Sequence, residues 1–141
     1  MIYRRGGFGN ARMSPTRNKK ARVILAIDDE AEILEIIKAT FESKGYTIHT
    51  ASHPSEGIGL YERLWREIDL VLLDFLMPEM TGDLVFECLR NINPGARVLL
   101  LTACDDNVAK KMFDDGLRGY IQKPFYLDDL SQRVEEEIDA A

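Results

Sequence analysis

The 141-residue sequence has no apolar run approaching the roughly 18 residues that a membrane-crossing helix needs. No apolar core follows the arginines near its start, as a secretory signal requires, so export is not expected. Cysteine is scarce: Cys88 and Cys104 are the only two, and their spacing fits neither a disulfide framework nor a zinc site. A glycine-rich phosphate loop ending in Gly-Lys-Ser/Thr is absent, which excludes phosphate-loop nucleotidases. Cytoplasmic residence with no membrane association is therefore the default expectation. The length suits one domain with a proper core, since single domains run about 100–150 residues.

Net basic charge is confined to the first twenty residues. The net charge is −6, yet residues 1–20 carry Arg4, Arg5, Arg12, Arg17, Lys19 and Lys20 with no acid, a local +6. The remainder sets 12 bases against all 24 acids, a balance of −12. So acidic a body repels nucleic acid, and no direct nucleic-acid binding by the core is expected. Residues 1–20 also lack apolar periodicity and read as a basic, disordered leader. The domain is expected over residues 21–141, leaving no room for an output domain within this sequence.

What the chain does have is a regular alternation of short apolar runs and helical patterns. Val23 to Ile27 predicts a strand, and Ile33, Leu34, Ile36, Ile37 and Phe41 predict a helix over Glu30 to Lys44, with Gly45 past its end. Strands are predicted over Tyr46 to Ala51, Ile68 to Leu73, Val98 to Thr102 and Arg118 to Gln122. Helices are predicted over Pro54 to Trp65, Gly82 to Ile92 and Asp106 to Asp115. Leu127, Leu130, Val134 and Ile138 mark a last helix, on which Glu135, Glu136 and Glu137 read as a solvated run.

Five β-α repeats with short connections imply a parallel sheet with helices on both faces. The first, third and fourth strands are continuously apolar, as strands buried on both faces should be. The second alternates and the fifth is short and mixed, so both read as edges. With right-handed crossovers the expected fold is α/β, a flavodoxin-like (βα)5 three-layer sandwich with a parallel five-stranded sheet of order 2-1-3-4-5.

In that order the strand C-terminal ends share one edge, and those of the first, third, fourth and fifth strands carry a polar side chain there. The first strand ends in Asp28 and Asp29, the third in Asp74, the fourth in Thr102 and the fifth in Lys123 with Pro124. Any one of these alone is as well explained by a helix start or a turn. Together they gather three carboxylates, which repel unless a cation lies between them, and oxygen donors favour a hard metal such as Mg²⁺. A phosphoryl group on Asp74 would meet the metal, the Lys123 ammonium and the Thr102 hydroxyl. His49 and His53 read as surface or edge-strand residues rather than phosphocarriers.

Residues 22–139 resemble a bacterial response-regulator receiver domain of the CheY-like kind. The segments that carry the resemblance are Ile27-Asp28-Asp29-Glu30, Leu72 through Pro78, Leu101-Thr102-Ala103 and Gly119 through Phe125. The resemblance implies that Asp74 accepts a phosphoryl group from a histidine kinase or phosphotransfer protein. It implies that Asp29, Asp74 and the backbone carbonyl of Leu76 bind Mg²⁺ or Mn²⁺ directly, with Asp28 acting mainly through a bound water. Lys123 would pair with phosphoryl oxygens, and its bond to Pro124 would be cis. Thr102 and Tyr120 would form a switch that repacks the surface of the fourth helix, fifth strand and fifth helix, for a downstream effector or a homodimer partner. No classical enzyme is expected, only phosphoryl transfer to the chain itself and its loss again.

Two details qualify the resemblance. Small Ala103 leaves Asp74 accessible, while Leu76 and Cys104, which flank the site in this family, would position an attacking water poorly. A long-lived phosphoaspartate is therefore expected. A haloacid-dehalogenase-type phosphatase would need a second Asp two residues after Asp74, where this chain has Leu76. The alternatives left are a phosphorylation-independent pseudo-receiver and a receiver segment cut from a hybrid sensor kinase. The Gly119 to Phe125 stretch favours the latter over winged-helix regulators.

Overall fold

A computed structural model of the chain describes residues 22–102 and 105–140. The order of elements is β1 (Val23–Ile27), α1 (Ala31–Glu42), β2 (Thr47–Ala51), α2 (Pro54–Leu64), β3 (Leu70–Leu73), α3 (Gly82–Ile92), β4 (Val98–Leu100), α4 (Asp106–Asp114), β5 (Gly119–Tyr120) and α5 (Leu127–Asp139). All strand pairings are parallel, and the sheet runs β2-β1-β3-β4-β5, the expected order with the expected edges. The basic leader inferred for residues 1–20 lies outside the described residues, as do Ala103 and Cys104. No helix among the described residues is long and apolar enough to cross a membrane.

Alternation along the strands divides the core in two, because successive side chains point to opposite faces of the sheet. Ile24, Ala26, Leu70, Leu72 and Leu99 face one side, where α1 supplies Leu34, Ile37 and Phe41 and α5 supplies Leu130, Val134 and Ile138. Leu25, Ile27, Val71, Leu73, Val98 and Leu100 face the other, against Tyr61 of α2, Val85, Phe86 and Leu89 of α3 and Met112 of α4. Each buried Val, Leu, Ile, Phe or Met among them contributes about 1.5–3 kcal/mol when fully buried. The chain leaves α1 through Gly45 at a φ of +91°, a left-handed turn that favours glycine.

The predicted elements fall in place, with shorter strands than the apolar runs implied. β3 begins at Leu70 rather than Ile68, and β4 stops at Leu100 rather than Thr102. β5 keeps only Gly119 and Tyr120, although Arg118 N–H to the Val98 carbonyl (3.0 Å) and Ile121 N–H to the Leu100 carbonyl (2.8 Å) extend its pairing on either side. One surface assignment is wrong. Glu137 is buried, not solvated: Arg118 Nε reaches its carboxylate at 3.0 Å, and Arg133 pairs with its other oxygen. Helical periodicity places position 137 beside Val134 and Ile138, so it points partly inward, and the arginines supply the partners that burial demands.

Candidate functional site

Sheet register aligns the site before any side chain is considered. Ile27 of β1 is level with Leu73 of β3, and Leu73 with Leu100 of β4. The next residues, Asp28, Asp74 and Leu101, therefore leave the sheet side by side, bonded by Asp74 N–H to the Ile27 carbonyl (2.9 Å) and Leu101 N–H to the Leu73 carbonyl (2.8 Å). Each central strand is buried on both faces, so the first polar side chain after each emerges only at this end.

Asp28 is fully buried and both its oxygens are used. Oδ1 accepts the Glu30 N–H at 2.9 Å, and Oδ2 accepts from Lys123 Nζ at 2.7 Å. Asp74 is 3% exposed, with Oδ1 3.5 Å from the same ammonium. Asp29 is exposed at the mouth. One carboxylate oxygen from each of Asp28, Asp29 and Asp74 lies within 4.8 Å of the others. Three hard oxygen donors converging from two loops are a set that fits Mg²⁺ or Mn²⁺, and repulsion among them is what a divalent cation relieves.

Electrostatics reflect that crowding. Burial, and then the neighbouring charge of Asp28, push the Asp74 carboxyl up from its ordinary 3.8 to about 6, with Lys123 pulling the other way and Asp29 adding to the rise. For Lys123 burial acts downward, but hydrogen bonds to Asp28 and Glu30 and the fields of Asp28 and Asp74 outweigh it, and its pKa is raised. The ammonium is thus a fixed positive charge in this crevice. The Lys123-Pro124 peptide is cis, as expected.

The remaining site residues take less central places. Thr102 follows the end of β4 and is half-buried, and the adjoining Ala103 and Cys104 lie outside the described residues. Leu76 turns its side chain outward, 64% exposed. Tyr120 also faces outward, its ring 6.3 Å from that of Phe113 on α4 at 58° between planes. His53 is exposed, with Nδ1 3.6 Å from a Glu79 carboxylate, and His49 lies in edge strand β2; neither approaches a nucleophilic role.

Two residues that sequence reasoning passed over take part. Glu30, where the sequence places only the start of the first helix, accepts from Lys123 Nζ at 2.9 Å through Oε1. Gly82 opens α3 directly beneath the acceptor loop, where a Cβ would lie 2.8 Å from the Asp74 carbonyl oxygen and 2.8 Å from Phe75 Cα. Its N–H donates to the Phe75 carbonyl at 2.7 Å. The Met77-Pro78 turn before a glycine-started helix hinted at this close approach, whereas nothing local could pair Glu30 with a lysine 93 residues away.

Comparison with known proteins places the chain. The response regulator receiver domain family matches residues 24–135. Sensor kinase CckA of Brucella abortus is 32% identical over 120 residues, covering 84% of this chain and 13% of the kinase. The probable transcriptional regulatory protein TcrX of Mycobacterium tuberculosis is 35% identical over 114 residues, covering 79% of this chain and 47% of the regulator. The chain therefore spans less than half the length of these relatives. Among solved structures, a CheY-like receiver domain protein of Methanospirillum hungatei superposes with a TM-score of 0.79 at 28% identity, over 86% of this chain and 96% of that one. A chain of the CheX-CheY-BeF3-Mg²⁺ complex of Borrelia burgdorferi does so with a TM-score of 0.76 at 27% identity, over 82% and 87%. A match running from the first strand into the last helix leaves one conclusion: the chain belongs to the response regulator receiver domain family, the phosphoacceptor switch of two-component systems.

Proposed function

We propose that residues 21–141 work as a Mg²⁺-dependent receiver in which Asp74 accepts a phosphoryl group from a histidine kinase or phosphotransfer protein. The observation that carries this reading is the convergence of Asp28, Asp29 and Asp74 within 4.8 Å, with Lys123 closing on Asp28 and Asp74. Asp28, Asp29, Asp74 and the Leu76 carbonyl would hold the cation, which when bound offsets the charge of the incoming phosphoryl oxygens. The Borrelia burgdorferi relative crystallised with BeF3 and Mg²⁺ is in keeping with such a site.

The protein's own groups do the rest. An Asp74 carboxylate oxygen forms a bond to phosphorus as the donor's P–N bond breaks. The electron pair leaves with the imidazole, which takes its proton from water. Lys123, held beside the acceptor, pairs with the phosphoryl oxygens, and Thr102 donates its hydroxyl to them. That movement frees space for Tyr120 to leave Phe113 and turn inward, which repacks the α4-β5-α5 face toward a downstream effector or a second copy of the chain.

A second reading concerns context: the segment is the receiver of a hybrid sensor kinase. The likeness to a sensor kinase of which it covers only 13% favours this. It leaves the chemistry at Asp74 unchanged.

Incubation with acetyl phosphate and Mg²⁺, followed by intact mass measurement, tests the function. A phosphoryl adduct on the wild type and none on Asp74→Asn is expected. No adduct with any small or protein donor would make the chain a phosphorylation-independent pseudo-receiver.

A further inference from the structure

Lys123 is held by two carboxylates, and only one of them belongs to the acidic trio. Its Nζ bonds Asp28 Oδ2 at 2.7 Å and Glu30 Oε1 at 2.9 Å, while Asp74 Oδ1 stands at 3.5 Å. An ammonium has three donors on a flexible stem. With two directed to Asp28 and Glu30, the third is left on the Asp74 side.

The backbone explains why Glu30 is available for this. It occupies the N-cap position of α1, where its carbonyl accepts the Ile33 and Leu34 N–H groups, yet its side chain makes no capping bond. Short polar side chains are the usual caps. Glu30 is too long to fold back well, and its N–H is already tied to Asp28 Oδ1 at 2.9 Å. The carboxylate instead crosses the crevice to Lys123, whose side chain is 19% exposed against 59% for Glu30. Glu30 thus covers the ammonium from the solvent side.

We infer that Glu30 is a positioning residue for phosphoryl acceptance: with Asp28 it orients Lys123 so that one donor faces the group arriving at Asp74. This rests on the receiver function proposed above and extends it to a residue outside the metal-binding and phosphoryl-binding set. Because orientation before the reaction is what lowers the barrier, losing one tether costs rate without touching the acceptor.

Glu30→Ala and Glu30→Gln in the full chain test the idea by two readouts. Adduct formation from acetyl phosphate with Mg²⁺ is expected to slow about fivefold in Glu30→Ala, the scale of one partly exposed ion pair. Glu30→Gln, which keeps an acceptor oxygen in reach, is expected to recover most of that loss. Separately, the ¹H–¹⁵N signal of the Lys123 ammonium, assigned by its disappearance in Lys123→Gln, is expected in donor-free wild type and in Glu30→Gln. It should broaden away in Glu30→Ala. Unfolding free energies of the variants should stay within about 1 kcal/mol of wild type, the same fivefold factor and the cost of one partly exposed ion pair, since the Glu30 side chain makes no capping bond. An equal or faster rate in Glu30→Ala, an ammonium signal that survives that change, or no such signal in wild type overturns the inference. If wild type takes no phosphoryl group, the receiver function fails, and the ammonium signal alone decides whether Glu30 holds Lys123.

Discussion

Lys123 Nζ lies 2.7 Å from Asp28 Oδ2, joining residues 95 apart in the chain. The pair closes the crevice from both ends of the domain: Asp28 follows the first strand, Lys123 the last. A fully buried carboxylate is tolerated here because its charge is met by that ammonium and by the Glu30 N–H. Asp74, 3.5 Å from the same nitrogen, is met less completely, and the site's response to pH, metal and mutation follows from that inequality.

Asp74→Asn should stabilise the domain at neutral pH. With the folded carboxyl at about 6 and the ordinary value at 3.8, the folded state holds a proton between those values that the unfolded chain has released. Stability therefore falls as pH rises through this window, by roughly 2–3 kcal/mol at full effect. Asparagine carries no such charge. Urea unfolding should show Asp74→Asn more stable than wild type by about 1–3 kcal/mol at pH 7 without divalent metal, with the advantage gone near pH 3. A destabilised variant at pH 7 would contradict the crowding described.

Mg²⁺ should restore what the crowding costs. At a hundredfold excess over its Kd, a ligand of the folded state alone adds about 2.7 kcal/mol to unfolding free energy. Chemical denaturation with and without Mg²⁺ at pH 7 should show an increase approaching this in wild type. Asp29→Asn, which removes an exposed donor, should show a much smaller one.

Gly82→Ala should be costly although alanine favours helices. The added Cβ would lie 2.8 Å from both the Asp74 carbonyl oxygen and Phe75 Cα, backbone atoms that cannot rotate away. A loss of about 1–3 kcal/mol is expected on unfolding, the usual scale for overpacking. Because the shift falls on the acceptor residue itself, the rate of adduct formation should drop as well. Normal stability and rate together would show that the loop yields freely.

Leu76→Asn should shorten the life of the phosphoryl group. The Leu76 side chain points outward and is 64% exposed, so asparagine fits without repacking and can hold an attacking water. Intact mass measured over time after removal of excess acetyl phosphate should show faster adduct loss than in wild type. An unchanged decay would remove Leu76 from the account of phosphoryl lifetime.

Much of the fold was readable because it rests on local pattern. Continuous apolar runs marked β1, β3 and β4 as central, and alternation in β2 marked an edge. Spacing set α3 at Gly82–Ile92 to the residue. Strand ends were harder. The run reaching Thr102 outlasts β4, which stops at Leu100 although Leu101 N–H still bonds the Leu73 carbonyl at 2.8 Å, because apolar character does not mark where a ladder ends. Glu137 was misread because its charge outweighed its helical position: Arg133, one turn earlier on α5, and Arg118, remote in sequence just before β5, supply the partners that let it be buried.

By itself, the sequence determined the sheet order, the burial of the central strands and the identity of the strand-end residues Asp28, Asp29, Asp74, Thr102 and Lys123. Those properties follow from the periodicity of neighbouring residues and from topological rules that short connections obey. Only the tertiary structure decided how Lys123 divides itself among Asp28, Glu30 and Asp74, that Tyr120 rests outward on Phe113, and that Gly82 must lack a Cβ. Those are distances of a few ångströms between residues remote in sequence. They are set by how helices and loops pack onto the sheet, and no local pattern encodes them.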